Sequence, residues 1–457
     1  MAYIKNPLSG GGGGGAFRVV NGVIKQYVSD TENIDANTFV EFVCNWDRVR
    51  NTQDTKLNPS LTKVTVTAAA KLSDSKVFVA YCDTTNNYSG DIYGVVCNIN
   101  GDGTVTYGTS TLLVSHNSGS PNIGIGVMVS SNGMVIVGHA DASYPYAVSA
   151  TVSGDTITVG TNVQLTTSSV TVSYAKLQQA SADNGLMLYG ATGSLYAFKV
   201  YDNSGVIGHS TRATLSSMNA AGQFAMSVID TDKVFVTASS GSNLYLYGAV
   251  VDISGSSVSA GTRTAIDQNS NTGRFSGSAT LASVGAGDYK VLVAYPGSGY
   301  ELTGVIINVS GNTFTVGTPT SLSGASYSGY GLDYGMVVKT GDNKAIVFHQ
   351  QGGEGTYQAG YAAMMACKVD ISGGSISVID DSVVGVSVYG AAVPLDSSSI
   401  FISHAVQSAN GFMVYADGDP VAIKTATDSH RIAGVTTQSI TPNTPGNVWV
   451  LNTSESE

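Results

Sequence analysis

The sequence is short of charge, tryptophan, cysteine, proline and long apolar runs. Of 457 residues, 21 are Lys or Arg and 32 are Asp or Glu, which is 12% charged with a formal net charge of −11. An ordinary soluble domain carries about a quarter charged residues. Few cations on an acidic chain argue against non-specific binding to nucleic acid or to anionic membranes, since both require a basic patch. No run of 18 apolar residues occurs, so no transmembrane helix and no membrane insertion are expected. The opening residues Met1-Ala2-Tyr3-Ile4-Lys5-Asn6-Pro7-Leu8 lack a basic n-region and an apolar h-region, so no signal peptide is expected. The four cysteines, Cys44, Cys82, Cys97 and Cys367, are too few for a disulfide scaffold. A hairpin centred near Asn87 sets Cys82 opposite Ile92, so Cys82 and Cys97 are not expected to face each other. All four read as free thiols of a protein made in the cytoplasm.

What the chain does contain is 55 glycines, 24 tyrosines and 42% hydrophobic residues. That apolar fraction can fill a core, which argues against intrinsic disorder. Low charge with much Gly, Ser, Thr, Val and Tyr favours strands over helices, whose surfaces are built from Glu, Lys, Ala and Arg.

A short alternating strand recurs along the chain. Its copies are Val77-Phe78-Val79-Ala80-Tyr81, Val135-Ile136-Val137-Gly138-His139, Leu186-Met187-Leu188-Tyr189-Gly190, Val234-Phe235-Val236-Thr237-Ala238, Val291-Leu292-Val293-Ala294-Tyr295, Ala345-Ile346-Val347-Phe348-His349 and Ile400-Phe401-Ile402-Ser403-His404. Successive copies start 58, 51, 48, 57, 54 and 55 residues apart. Each is preceded by a polar turn, such as Ser73-Asp74-Ser75, and followed by a loop and a second strand, such as Tyr93-Gly94-Val95-Val96. That second strand runs into an x-Gly turn at Gly101, Gly154, Gly205, Gly255, Gly311, Gly373 or Gly418. In several copies a Thr-rich strand closes the unit, as in Thr156-Ile157-Thr158-Val159. Four antiparallel strands per unit, at close to the 40–50 residues expected of a propeller blade, predict an all-β fold containing a seven-bladed β-propeller over residues 61–417. The seventh unit lacks an obvious fourth strand. Thr38-Phe39-Val40-Glu41-Phe42-Val43 alternates correctly and is suited either to closing the ring or to a separate module.

Four segments follow from this reading: residues 1–15, a docking peptide and glycine linker; 16–60, an N-terminal β segment; 61–417, the propeller; and 418–457, a C-terminal β segment. Gly10 to Gly15 have no side chains to pack, and no Gly-Lys-Ser/Thr follows them, so they read as a tether and not as a phosphate loop.

Propeller geometry puts the loops between second and third strands, and those between blades, on one face. Here they are the long loops, at 83–91, 115–122, 141–146, 269–275, 296–301, 325–334 and 350–361, whereas the other face has tight turns such as Ser131-Asn132-Gly133. Long loops without secondary structure of their own tend to mark function. These hold Tyr88, Tyr144, Tyr146, Tyr300, Tyr327, Tyr330 and Tyr357 among Ser, Gly and Asn. Tyrosine gives contact area at low entropy cost and small polar residues adapt their hydrogen bonds, so these seven are the candidate ligand-binding residues. Packing tyrosines of a Tyr-rich β protein are the plain alternative.

No catalytic or metal site stands out. His139, His349 and His404 share a repeat position but sit on different units, while metal ligands must converge within about 2 Å of one ion. Asn98-Ile99-Asn100-Gly101-Asp102-Gly103 resembles the first half of a calcium loop, but its twelfth position is Thr109 and not Glu. The seven arginines, Arg18, Arg48, Arg50, Arg212, Arg263, Arg274 and Arg431, look scattered, and Trp46 and Trp449 lie outside the repeats. No enzyme activity, cofactor or metal is therefore expected; a glycan-degrading propeller using Glu301 or Glu354 is kept as an alternative.

Outside the repeats, Ala36-Asn37-Thr38-Phe39-Val40-Glu41-Phe42, Ile432-Ala433-Gly434-Val435 and Gly446-Asn447-Val448-Trp449-Val450 resemble strands of small β modules in bacteriophage structural proteins. The resemblance covers about 60 residues at the two ends of the chain. It implies a virion component with the propeller inserted in an attachment module. The expected partners are other virion proteins, reached through the N-terminal peptide and C-terminal module, and a host surface glycan or protein, with several copies per particle. The implied roles are a tail fibre or receptor-binding protein or, alternatively, a capsid or tail decoration protein.

Overall fold

The computed structural model describes residues 64–83, 90–100, 104–115, 124–141, 143–169, 172–191, 193–215, 218, 224–240, 245–269, 276–285, 287–297, 301–323, 336–351, 363–386, 389–396, 399–406 and 408–415, with the strand segments 3–5, 16–18, 23–29, 39–43, 50–51, 55–56, 422–425, 434–436 and 445–450. Among the described residues every regular element is a strand. Two compact units emerge, Met1–Arg48 with Asp417–Glu457, and Val49–Ala416.

The larger unit is propeller-like. Its strands fall into antiparallel quartets in chain order, except that the last takes its outer strand from residues 50–56. The first consists of Val64–Ser73, Lys76–Asp83, Asp91–Ile99 and Val105–Tyr107. The next two, Gly126–Val129 to Thr156–Gln164 and Val172–Gln179 to Val206–His209, join through one parallel bridge, Val127↔Gln178. Further quartets open with Phe224–Asp230, Gly277–Gly285, Met336–Gly341 and Tyr389–Pro394. These first strands lie side by side in succession, and Tyr389–Pro394 returns to Val64–Ser73.

The core explains why the repeated second strand is so apolar. It is divided into clusters, each shared by neighbouring quartets. Phe78 and Ile92 of the first pack with Val135 and Val148 of the second, Leu186 and Leu188 of the third with Val234 and Val236 of the fourth, and Val77 and Tyr81 of the first with Val393 and Phe401 of the last. A strand between two such clusters has no solvent face. Met134–Ala140 is buried at every position, so alternation gives way to a continuous apolar run.

Two glycine positions show how tightly the layers close. A Cβ on Gly94 would sit 2.6 Å from Phe78 Cζ, and one on Gly248 2.8 Å from Phe235 Cζ. The third strand thus carries glycine where a ring from the second strand crosses it. Gly94→Ala is expected to cost about 1–3 kcal/mol through overpacking; a denaturant midpoint unchanged from wild type would show that the layer gives way freely. The x-Gly turns at Gly154, Gly205 and Gly311 have φ of 61°, 90° and 58°, a region that suits glycine. In the sixth quartet the positive φ falls on Gly374 (79°) and not on Gly373, one residue later than expected.

The thiols lie as expected. Cys82 pairs with Ile92 and Cys97 with Val77; Cys82, Cys97 and Cys367 are buried and free, and burial pushes the Cys97 thiol up. Cys44 lies outside the described residues.

The last quartet corrects the expected boundary at residue 61. Its third strand, Ser408–Tyr415, is edged by Arg50–Asn51 and Thr55–Lys56, so residues 50–56 belong with the larger unit. An open strand edge needs a partner, and these two-residue strands are too short to show alternation. Phe39–Val43 instead joins Val23–Ser29, Ala422–Thr425, Gly434–Thr436 and Pro445–Val450 in the closed barrel of the smaller unit. Val23–Ser29 pairs with Pro445–Val450 from Val23↔Val450 to Val28↔Pro445, a strand the repeat search passed over. Tyr3–Lys5 is paired antiparallel with Ala16–Arg18; the glycine run between them lies outside the described residues.

Candidate functional site

The two ends of the quartets differ chemically. At the tight-turn end, side chains of one quartet bind carboxylates of the next. Lys76 Nζ reaches Asp155 (2.9 Å), Ser131 N and Oγ donate to Asp183 (2.9 and 2.6 Å), and Ser181 Oγ and Asn184 Nδ2 donate to Asp232 (2.8 and 2.9 Å). The Lys76 and Asn98 hydrogen bonds hold the Asp155 carboxyl below its ordinary range. Burial tends to raise the Asp252 and Asp370 carboxyls, but hydrogen bonds from Ser254 and Ser372 outweigh it and lower both. Each such contact is individually weak, yet together those of Asp155, Asp183 and Asp232 join successive quartets.

At the other end, where second strands lead into third strands, aromatic rings recur. In the first four quartets the third strand carries a half-buried tyrosine near its start: Tyr93, Tyr146, Tyr196 and Tyr247. Register explains the pairing, because each faces a position near the end of the second strand: Tyr81, His139, Tyr189 and Ala238. Three of these pairs stack nearly parallel. Tyr81 and Tyr93 are 5.7 Å apart, His139 and Tyr146 5.3 Å, and Tyr189 and Tyr196 5.2 Å. Offset stacks of this kind add about 0.5–1.5 kcal/mol to simple burial.

A residue following the fourth-strand turn completes several of these sets. In the second quartet Asn162 Oδ1 accepts from His139 Nε2 at 3.1 Å. In the third, the Arg212 guanidinium lies 4.8 Å from the centre of the Tyr196 ring. In the fourth, Arg263 lies 4.0 Å from Tyr247, and Gln268 Nε2 donates to the Tyr247 hydroxyl at 3.4 Å. Arg212 is exposed and Arg263 half-buried. A guanidinium stacked on a ring keeps its planar fork of donors oriented at low entropy cost. Tyr146 has a different partner. Burial, then the charge and hydrogen bond of Asp141, push its phenol up to about 12. Asp141 also accepts from the Ser143 and Tyr144 backbone N–H groups, at 2.6 Å each.

Of the seven candidate tyrosines, two fall on described residues. Tyr144 precedes the strand Pro145–Ser153 and meets Tyr146 edge-on at 6.4 Å, and both are half-buried. Tyr146 belongs to that strand and not to a loop, held by His139. Tyr88, Tyr300, Tyr327, Tyr330 and Tyr357 lie outside the described residues. Sequence reasoning missed Tyr93, Tyr196 and Tyr247 because it followed loop length. It missed Arg212 and Arg263 because the arginines looked scattered. The signal was present: Thr211-Arg212-Ala213-Thr214-Leu215 and Thr262-Arg263-Thr264-Ala265-Ile266 are one repeat position, two units in a row.

His139 and His349 are buried, 0% and 2% exposed, and the described residues contain no cluster of potential metal ligands. Asn100 Nδ2 bonds Thr104 Oγ1 at 2.8 Å across the turn that resembled a calcium loop.

No family model matches the chain, and no curated protein matches it. Among solved structures, it is similar to a mutant of AofleA from Arthrobotrys oligospora, at 11% identity over 73% of this chain and 90% of that one (TM-score 0.45). It is also similar to a mutant of the Aleuria aurantia lectin in complex with Fucalpha1-6GlcNAc, at 15% identity over 71% and 98% of the two chains (TM-score 0.43). A third is the WD40 domain of SCAP from fission yeast, at 8% identity over 81% and 98% (TM-score 0.42).

Proposed function

We propose that this chain is a non-enzymatic, seven-bladed β-propeller that binds a glycan on a host cell surface. In this reading it is carried on a bacteriophage or phage-tail-like particle by the barrel of its terminal segments. The observation that carries the glycan reading is the half-buried tyrosine repeated at one end of four consecutive quartets, joined in two of them by an arginine. Tyrosine rings pack against the C–H faces of sugars, and a guanidinium donates in-plane to neighbouring hydroxyls. Equivalent positions on successive blades suit a repetitive polymer, because several weak contacts to one chain gain avidity without new chemistry. The propeller reading is supported by the succession of first strands that returns on itself. The phage setting is supported by the resemblance of the terminal strands and by their assembly into one barrel around the two ends of the propeller sequence.

Binding of the labelled full chain to intact candidate host cells tests this. Adsorption that is abolished by periodate oxidation of the cells and spared by surface proteolysis is expected. Binding to no cell type, or binding lost only to protease, would overturn the glycan assignment. Immunogold labelling of particles would place the protein at an exposed tail or capsid site, and particles that never carry it would remove the virion role.

One observation favours a second, enzymatic reading. The Tyr295 phenol is pushed up by burial and by the charges of Asp267 and Glu301, a grouping of a phenol and a carboxyl of the fifth quartet with a carboxyl of the fourth. Release of reducing ends from a host polysaccharide, lost in Glu301→Gln, would establish it.

A further inference from the structure

The first strands of the quartets surround a cavity of about 350 Å3. Each is hydrogen-bonded to its second strand on one edge, and the other edge faces inward, apart from the Val127↔Gln178 bridge. The wall is mainly small and apolar, with residues such as Ala68, Ala225 and Ala391, and no Asp or Glu lines it among the described residues. Two lysines do. Lys71 is already engaged, by Asp74 at 2.7 Å and by the Leu395 carbonyl. Lys176, in the middle of Val172–Gln179, is half-buried, and no described residue gives its ammonium a hydrogen bond or an ion pair. Ser278 belongs to a wall strand, but its hydroxyl, which has no hydrogen-bond partner among the described residues, is sealed from solvent and does not open into the cavity.

A cation held partly out of water without a partner is destabilising. Burial alone, with no opposing carboxylate, holds the Lys176 ammonium below the usual lysine range. The missing element is an acceptor. The volume is within the range of ordinary small-molecule sites, about 300–1,000 Å3, and inward-facing strand edges supply backbone N–H donors.

We infer that the central cavity is a binding site for a small oxyanion, held by Lys176 and inner-strand backbone N–H groups. It is independent of the tyrosine-lined end, and its ligand class is set by charge: one free ammonium matches one phosphate, sulfate or carboxylate group. A second protein is excluded by the size of the cavity.

Thermal melting and equilibrium dialysis of the full chain with inorganic phosphate, acetate or chloride at constant ionic strength test the site. Phosphate or acetate is expected to bind and raise the melting temperature more than chloride does; which of the two binds tighter separates a phosphate or sulfate site from one for a carboxylate-bearing ligand. Lys176→Met is expected to weaken that binding by about tenfold or more and to melt higher than wild type without anion. A control substitution, Lys290→Met, is expected to leave binding unchanged. Should Lys176→Met fail to fold, Lys176→Gln and dialysis of wild-type protein carry the test. Equal effects of all three salts, undiminished binding by a folded Lys176 variant, or an equal loss in Lys290→Met would overturn the site.

Discussion

A fragment of residues 61–417 is expected to melt lower than one of residues 49–416, by about 5 °C or more, and to aggregate as its concentration rises. The difference lies in a few residues. Arg50–Asn51 and Thr55–Lys56 pair with Ser408–Tyr415, at Val414↔Asn51, Tyr415↔Arg50, Asn410↔Lys56 and Gly411↔Thr55. Without them the third strand of the last quartet exposes a row of unpaired N–H and C=O groups, which invites pairing with another copy. The last quartet also supplies Val393, Leu395 and Phe401 to a cluster with Val77, Val79 and Val95 of the first. Loosening it therefore weakens the packing where the succession of quartets returns on itself. A few kcal/mol lost in a chain of this size corresponds to a shift of that order. Equal melting temperatures for the two fragments would show that the short strands contribute nothing.

The largest single-residue effect on stability is expected for Phe235→Ala, a loss of about 3–5 kcal/mol. Phe235 is fully buried and meets the Phe314 ring edge-on at 5.1 Å. It shares a cluster with Leu246 and Val250 of its own quartet and with Val291 and Val305 of the next, so its removal leaves a cavity between two quartets. Gly248 opposite cannot fill it, having no side chain, and the strand backbones on both sides are fixed by their ladders. Val206→Ala, at a residue 59% exposed, is the matched comparison and is expected to change stability by less than about 0.5 kcal/mol. Similar urea midpoints for the two variants would mean that the layer collapses around the lost ring.

The architecture was more legible in the sequence than the site. The repeated second strand announces itself because both of its faces are buried, so at least three consecutive apolar residues open every copy where a half-exposed strand would alternate. The turns were legible through glycine, since Gly154, Gly205 and Gly311 adopt positive φ. Short edge strands were not: Arg50–Asn51 has two residues, and pairing there comes from the partner's open edge and not from any pattern of its own. The stacked end was obscured for a different reason. Tyr146, Tyr196 and Tyr247 lie within strands, so a search guided by loop length passed over the last two and placed the first in a loop. Arg212 and Arg263 are recognisable only after the units are aligned on the preceding turn, because the Thr-Arg pair has no meaning outside that frame.

The claim that the tyrosine-lined end recognises carbohydrate is tested most directly by one comparison on a glycan array. Wild-type full-length protein and an Arg212→Ala, Arg263→Ala double variant of equal melting temperature are applied at matched concentrations. The account predicts that wild type binds a defined subset of glycans and that the double variant binds that same subset at least about tenfold more weakly, a loss of 1.4 kcal/mol or more. A wild-type protein that binds no glycan, or a double variant that binds as well as wild type, would contradict it.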